Sequence, residues 1–151
     1  MIMSSALQKF AFLLISMILI SGCGLRKGSE ELLDMNTYFI VGEGGGFAGT
    51  YIQYKINQNG RIEQFDFNDY IYLEIAKVSP SEVDDFFNRI EDLELGELEI
   101  SSPGNMSRYI EINYMDINDH KLIWAMESSS IQPEVISFFT DSFNYCKKLS
   151  E

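Results

Sequence analysis

Hydrophobic positions along this chain fall into three patterns. An apolar run broken only by Ser16 stands near the start, alternating segments fill the middle, and two stripes at helical spacing follow. Thr37 to Val41 is β-prone. From Thr50 to Asn57, Ile52, Tyr54 and Ile56 share one face while Gln53, Lys55 and Asn57 share the other, the pattern of a half-buried strand. Asn59-Gly60 is a hairpin signal, because both residues accept the positive φ of a tight turn. Arg61 to Phe67 reads as the return strand, and Tyr70 to Val78 is β-prone again. Ser79-Pro80-Ser81-Glu82 opens a helix over 80–95 with the stripe Val83, Phe86, Phe87, Ile90 and Leu93, stopped by Gly96. Ile110, Ile112 and Tyr114 alternate. Asp116 to Asp119 reads as a turn, and Leu122, Trp124 and Met126 alternate in the following strand. Pro133 starts a helix over 133–149 whose stripe is Val135, Ile136, Phe139, Phe143, Cys146 and Leu149.

Hairpins rather than crossovers join these strands. The expected fold is therefore α+β: a single antiparallel sheet of four to six strands, order ββ(β)α-ββα, with two helices packed on one face. The expected core is Ile52, Tyr54, Ile56, Phe86, Phe87, Ile90, Ile110, Ile112, Leu122, Trp124, Phe139 and Phe143. One internal echo accompanies this layout. Asp66-Phe67-Asn68-Asp69 matches Asp116-Ile117-Asn118-Asp119, while Glu82-Val83 and Phe86-Phe87 match Glu134-Val135 and Phe138-Phe139. A duplicated ββα unit would place its identities this way, and so could chance.

The early apolar run changes the picture of where the protein works. Phe10 to Ile20 is eleven residues long, follows Lys9, and ends in Ile20-Ser21-Gly22-Cys23. That length suits the central region of an export signal and is too short to span a bilayer core of ~30 Å. The last four residues resemble the lipobox of bacterial lipoproteins, in which the cysteine thiol accepts a diacylglyceryl group. The resemblance implies a signal peptide over 1–22, a mature chain starting at lipidated Cys23, a polar tether over 23–36 and one domain over 37–151. Acyl chains of that kind hold a protein in the membrane at ~0.8 kcal/mol per buried methylene. The expected address is the bacterial envelope, and Gly24 in place of an inner-membrane retention aspartate favours the outer membrane in a Gram-negative host.

Composition mostly excludes chemistry. The 151 residues carry 23 acidic against 11 basic side chains, a net charge of -12, and loss of the leader would remove one more cation. No nucleic-acid partner is expected, since phosphate binding needs clustered Lys and Arg. Two cysteines and one histidine give neither a disulfide framework nor a multi-ligand metal centre, so no metal and no cofactor are expected. Cys146, at the buried spacing of the last helix, reads as a small hydrophobe. His120 reads as an exposed turn residue, and no hydroxyl or thiol sits in a nucleophile motif. The D-x-N-D segments lack the glycine and glutamate of an EF-hand loop and read as turns.

Gly44, Gly46 and Gly49 form a formal G-x-G-x-x-G, but the residues that follow build a strand rather than a phosphate-binding helix. The segment then reads as a glycine-rich connection anchored by Phe47. Gly44, Gly45, Gly46, Phe47 and Gly49 are the candidate ligand or partner loop. Two roles stay open for Phe47: a core anchor, or an apolar contact for a partner.

Gly44-Gly45-Gly46-Phe47-Ala48-Gly49, Asn59-Gly60, Pro103-Gly104-Asn105 and Ile123-Trp124 together resemble a set of small bacterial lipoproteins of unknown function. The resemblance implies a single α+β domain behind a lipobox and carries no activity or catalytic residue with it. The leading functional expectation is a non-catalytic envelope module that holds a protein, glycan or peptide near the membrane. The alternatives are a cell-wall or glycan-acting enzyme using carboxylates beside the glycine loop, and an inhibitor or immunity-type protein for a basic target.

Overall fold

The computed structural model describes residues 37–47, 49–114 and 117–151. The expected signal, Cys23 and the expected tether lie outside them. Seven strands make one mixed sheet: β1 (Tyr38–Gly45), β2 (Thr50–Asn57), β3 (Arg61–Asp66), β4 (Ile71–Lys77), β5 (Ser101–Ser102), β6 (Met106–Tyr114) and β7 (Ile117–Ala125). Helix α1 (Pro80–Asp92) follows β4, and α2 (Pro133–Leu149) ends the chain. The strands lie in the order β4-β3-β2-β1-β6-β7-β5, antiparallel except for the β5–β7 pair. The α+β class and the two helices agree with the sequence pattern, but the sheet is larger and not wholly antiparallel. The chain order is ββββα–βββα.

Each departure has a physical cause. The alternation of β1 is interrupted by Gly42, Gly44 and Gly45, so the strand continues where the sequence suggests a loop; pairing with β2 and β6 on both sides holds it extended. Two serines carry no periodic signal, yet Ser101 and Ser102 pair in parallel with Ile123 and Trp124 as the chain passes the β7 edge. β7 begins at Ile117, so most of the expected Asp116–Asp119 turn is strand. The equivalent turn after β3 is as expected: Asn68 N–H donates to Asp66 Oδ1 at 2.8 Å. Helix α1 stops three residues early, with Glu94 in the left-handed region at φ 49°. Gly96 has a different use, since a Cβ there would collide with the Ile117 side chain.

Both helices bury their stripes against one sheet face. Ser79 N–H reaches the Glu82 carboxylate at 3.0 Å, the reach-back half of a capping box, and hydrogen bonds from Ser79 lower the pKa of Glu82. The core joins Phe39, Val41, Tyr54, Ile56, Ile62, Ile110, Ile112, Leu122 and Trp124 of the sheet to Val83, Phe86, Phe87, Ile90, Val135, Phe138, Phe139 and Phe143 of the helices. Ile52 is only partly buried, packed against the core rather than within it, and Ile136 and Leu149 likewise. Phe138, absent from the expected stripe, is fully buried against Phe39. Cys146 is buried as expected, and burial pushes its thiol up to about 12. Among the described residues, no helix is long and apolar enough to cross a membrane.

Candidate functional site: the open sheet face and its glycine hairpin

Because side chains alternate along each strand, the face away from the helices is equally specified. It carries Tyr38, Ile40, Gly42 and Gly44 of β1, Tyr51, Gln53 and Lys55 of β2, Tyr109 and Glu111 of β6, and Lys121 and Ile123 of β7. Gly42 stands directly between Gln53 and Tyr109 in register. The Tyr109 ring lies across the bare backbone of Gly42, where any Cβ would strike it. From there its hydroxyl donates to Gln53 Oε1 at 2.5 Å, and Gln53 Nε2 donates in turn to the Tyr72 hydroxyl. Burial raises the pKa of Tyr72 to about 12 and raises that of Tyr109 further, so this chain is held in its protonated form.

Lys55 lies 4.0 Å from the centroid of the Tyr38 ring and 4.0 Å from Glu63. Burial lowers the Lys55 pKa, against the raising effect of Glu63. Glu63 also accepts from Asn57 Nδ2 at 2.9 Å, which satisfies a buried carboxylate on the β3 side of the face.

Past the Tyr109–Gln53 bridge, β1 loses its side chains and the face sinks into a cleft of about 620 Å³. Gly44, Gly45 and Gly46 line it with Tyr51, Phe67, Asn105 and Lys121, and with Pro103, Gly104, Ser107 and Ile123 at its margins. Gly44 is paired with Tyr51 on one side and Ser107 on the other. Gly46 N–H donates to the Asn105 carbonyl at 2.6 Å, which ties the hairpin tip to the Pro103–Asn105 turn. Gly45 and Gly46 take φ values of 122° and 71°, and a Cβ at Gly45 would meet that same carbonyl. Ser107 Oγ donates to the Gly104 carbonyl at 3.2 Å and accepts from Gly104 N–H at 3.0 Å, which fixes the other wall.

Phe47 stands at the apex, wholly exposed. The core-anchor role is therefore overturned. At the same end of the sheet Tyr51, Phe67, Tyr70, Ile71 and Leu73 are also exposed, an apolar crest formed where β2, β3 and β4 begin or end.

No family model matches the chain, and no curated protein matches it.

Of the candidate residues, Gly44, Gly45 and Gly46 line the cleft, while Phe47 and Gly49 belong to the hairpin tip outside it. The Pro-Gly-Asn segment and Ile123 converge on the same cleft, whereas Trp124 points the other way into the core. Tyr51, Gln53, Phe67, Tyr109 and Lys121 were missed. For Tyr51 and Tyr109 the signal was an aromatic residue on the polar face of an alternating strand; Gln53, Phe67 and Lys121 carried none. His120 is a strand residue, its Nε2–H donating to the Leu98 carbonyl at 3.0 Å, and not a turn residue. No carboxylate lines the cleft among the described residues. Glu43 instead meets Arg108 at 3.4 Å on the helix-bearing face, and Glu91 accepts from the Tyr114 hydroxyl. No group of three or more metal-ligating side chains occurs among the described residues.

Proposed function

We propose that this protein is a lipid-anchored component of the bacterial envelope that binds a partner rather than transforming a substrate. The observation that carries the reading is Phe47: a wholly exposed phenylalanine on a hairpin tied down at its base by the Gly46–Asn105 hydrogen bond. An apolar ring held out in water beside an apolar crest fits the contact surface of a binding module. A cleft lined without carboxylates supports binding over glycan hydrolysis, which needs a carboxylate pair. The excess of acidic side chains supports a partner with a basic face, as an inhibitor or immunity-type protein would have. The envelope address rests on the apolar run and on Ile20-Ser21-Gly22-Cys23, with the outer membrane as the site in a Gram-negative host. We also read β3-β4-α1 and β6-β7-α2 as copies of one unit; the two hairpins flank the central β1–β2 pair, which supports this.

Two measurements test these readings separately. Cys23→Ser should abolish incorporation of a palmitate label in the producing bacterium, and retained label would refute the lipid anchor. Phe47→Ala in the full chain should lose the partner captured from envelope extracts while stability changes by less than about 0.5 kcal/mol. Undiminished capture by that variant would remove the hairpin from the contact.

A further inference from the structure

The cleft behind the hairpin has a chemistry of its own, separate from the Phe47 contact. Its floor is the bare backbone of Gly44, and the Tyr109–Gln53 bridge closes one end. Along one wall, Tyr51 and Phe67 place two rings with centroids 5.6 Å apart and planes tilted by 32°, an aromatic wall. The margin opposite offers an amide and an ammonium group that is already ion-paired. The Asn105 side chain is exposed, and Lys121 already meets Glu111 at 3.4 Å and the Tyr109 ring at 4.4 Å. The cleft is open to solvent, and its volume falls within the range of small-molecule sites.

Charge and backbone pairing narrow the ligand. One lysine, already paired with Glu111, and no other lining cation leave little to hold a phosphate or an ionised ligand. An extended peptide is read mainly by adding to a sheet edge, but β1 is paired on both sides and has no free edge at the floor. What suits an aromatic wall facing amide, hydroxyl and ammonium groups is a flat molecule with one C–H face and a rim of hydroxyls.

We propose that this furrow is a saccharide-binding subsite, with a neutral pyranose laid against Tyr51 and Phe67 and its hydroxyls directed to Asn105, Lys121 and the Tyr51 hydroxyl. It adds a ligand class to the binding reading above and does not depend on Phe47.

The test is calorimetric titration of the full chain in detergent micelles with chitotetraose, cellotetraose and maltotetraose, and with a neutral polyalanine peptide. At least one saccharide should bind. Gly44→Val, which fills the floor at a residue of ordinary extended φ, and Tyr51→Ala, which removes the wall from an exposed position, should each weaken it about tenfold or more without lowering the melting temperature appreciably. Phe47→Ala should leave saccharide affinity unchanged. Absence of binding by all three sugars overturns the assignment, as does equal affinity in both furrow variants, or displacement of the sugar by the peptide. If the sugars fail while Phe47-dependent partner capture persists, only the furrow assignment falls. If Phe47→Ala abolishes saccharide binding, the ligand sits on the hairpin tip and the furrow is again refuted.

Discussion

Phe39→Ala should cost about 3–5 kcal/mol of folding free energy, a large part of the ~5–15 kcal/mol typical of a domain this size. Phe39 is wholly buried at the centre of the core. Its ring meets Phe87 edge-on at 5.3 Å, Phe138 at 5.4 Å and Phe86 at 6.2 Å, so it joins both helices to the central strand. Truncation would leave a cavity that cannot easily close. β1 is held by β2 and β6 through its whole length, and the facing rings belong to two different helices. Urea unfolding followed by far-ultraviolet circular dichroism should show the midpoint falling with an unchanged slope, and the melting temperature should drop by roughly 10–20 °C. A loss below about 1 kcal/mol would show that the helices do not pack on β1 as described.

Gly42 and Tyr109 should behave as a coupled pair. In the native chain, Gly42→Ala puts a methyl group where the Tyr109 ring lies. The ring must lift, and the hydroxyl then loses Gln53, which also anchors Tyr72. Overpacking of this kind costs about 1–3 kcal/mol and the lost hydrogen bond about 1 kcal/mol more. With Tyr109→Ala in place, the same Gly42→Ala change meets no ring. It should then stabilise the protein by about 0.5–1 kcal/mol, because alanine restricts the unfolded chain more than glycine. A double-mutant cycle measured by urea unfolding should therefore show a change of sign between backgrounds. Additive effects would mean that Tyr109 does not depend on the bare backbone of Gly42. An aromatic ring laid over a glycine in the neighbouring strand is a known way for a sheet to recover packing at that glycine.

That pair also shows why the site was only half legible. Gly42, Gly44, Gly45 and Gly46 stand out in the sequence, but local reading makes them a loop, since glycine is a poor strand residue and favours turns. Pairing on both sides of β1 overrides that preference. Phe47 was conspicuous for the same reason, yet nothing local distinguishes a ring that anchors a loop from one held out in water. The decision between them rests on what surrounds the hairpin tip, and that depends on where Asn105, fifty-eight residues further along, is placed. Pro103–Asn105 and Ile123 carried a resemblance as separate motifs; only the sheet order brings them to one cleft.

The amino-acid pattern alone determined the α+β class, both helices with their buried stripes, the Asn59-Gly60 hairpin, the buried Cys146 and most of the core. These follow from periodicity, capping and turn chemistry, which act over a few residues. Tertiary structure decided the extension of β1 through its glycines, the parallel pairing of Ser101 and Ser102, the closing of the sheet order around β1, and the joining of Gly44, Tyr51, Tyr109 and Lys121 into one furrow. Each of these depends on backbone pairing between strands distant in sequence, and a pairing energy shared between two segments leaves no trace in the periodicity of either one.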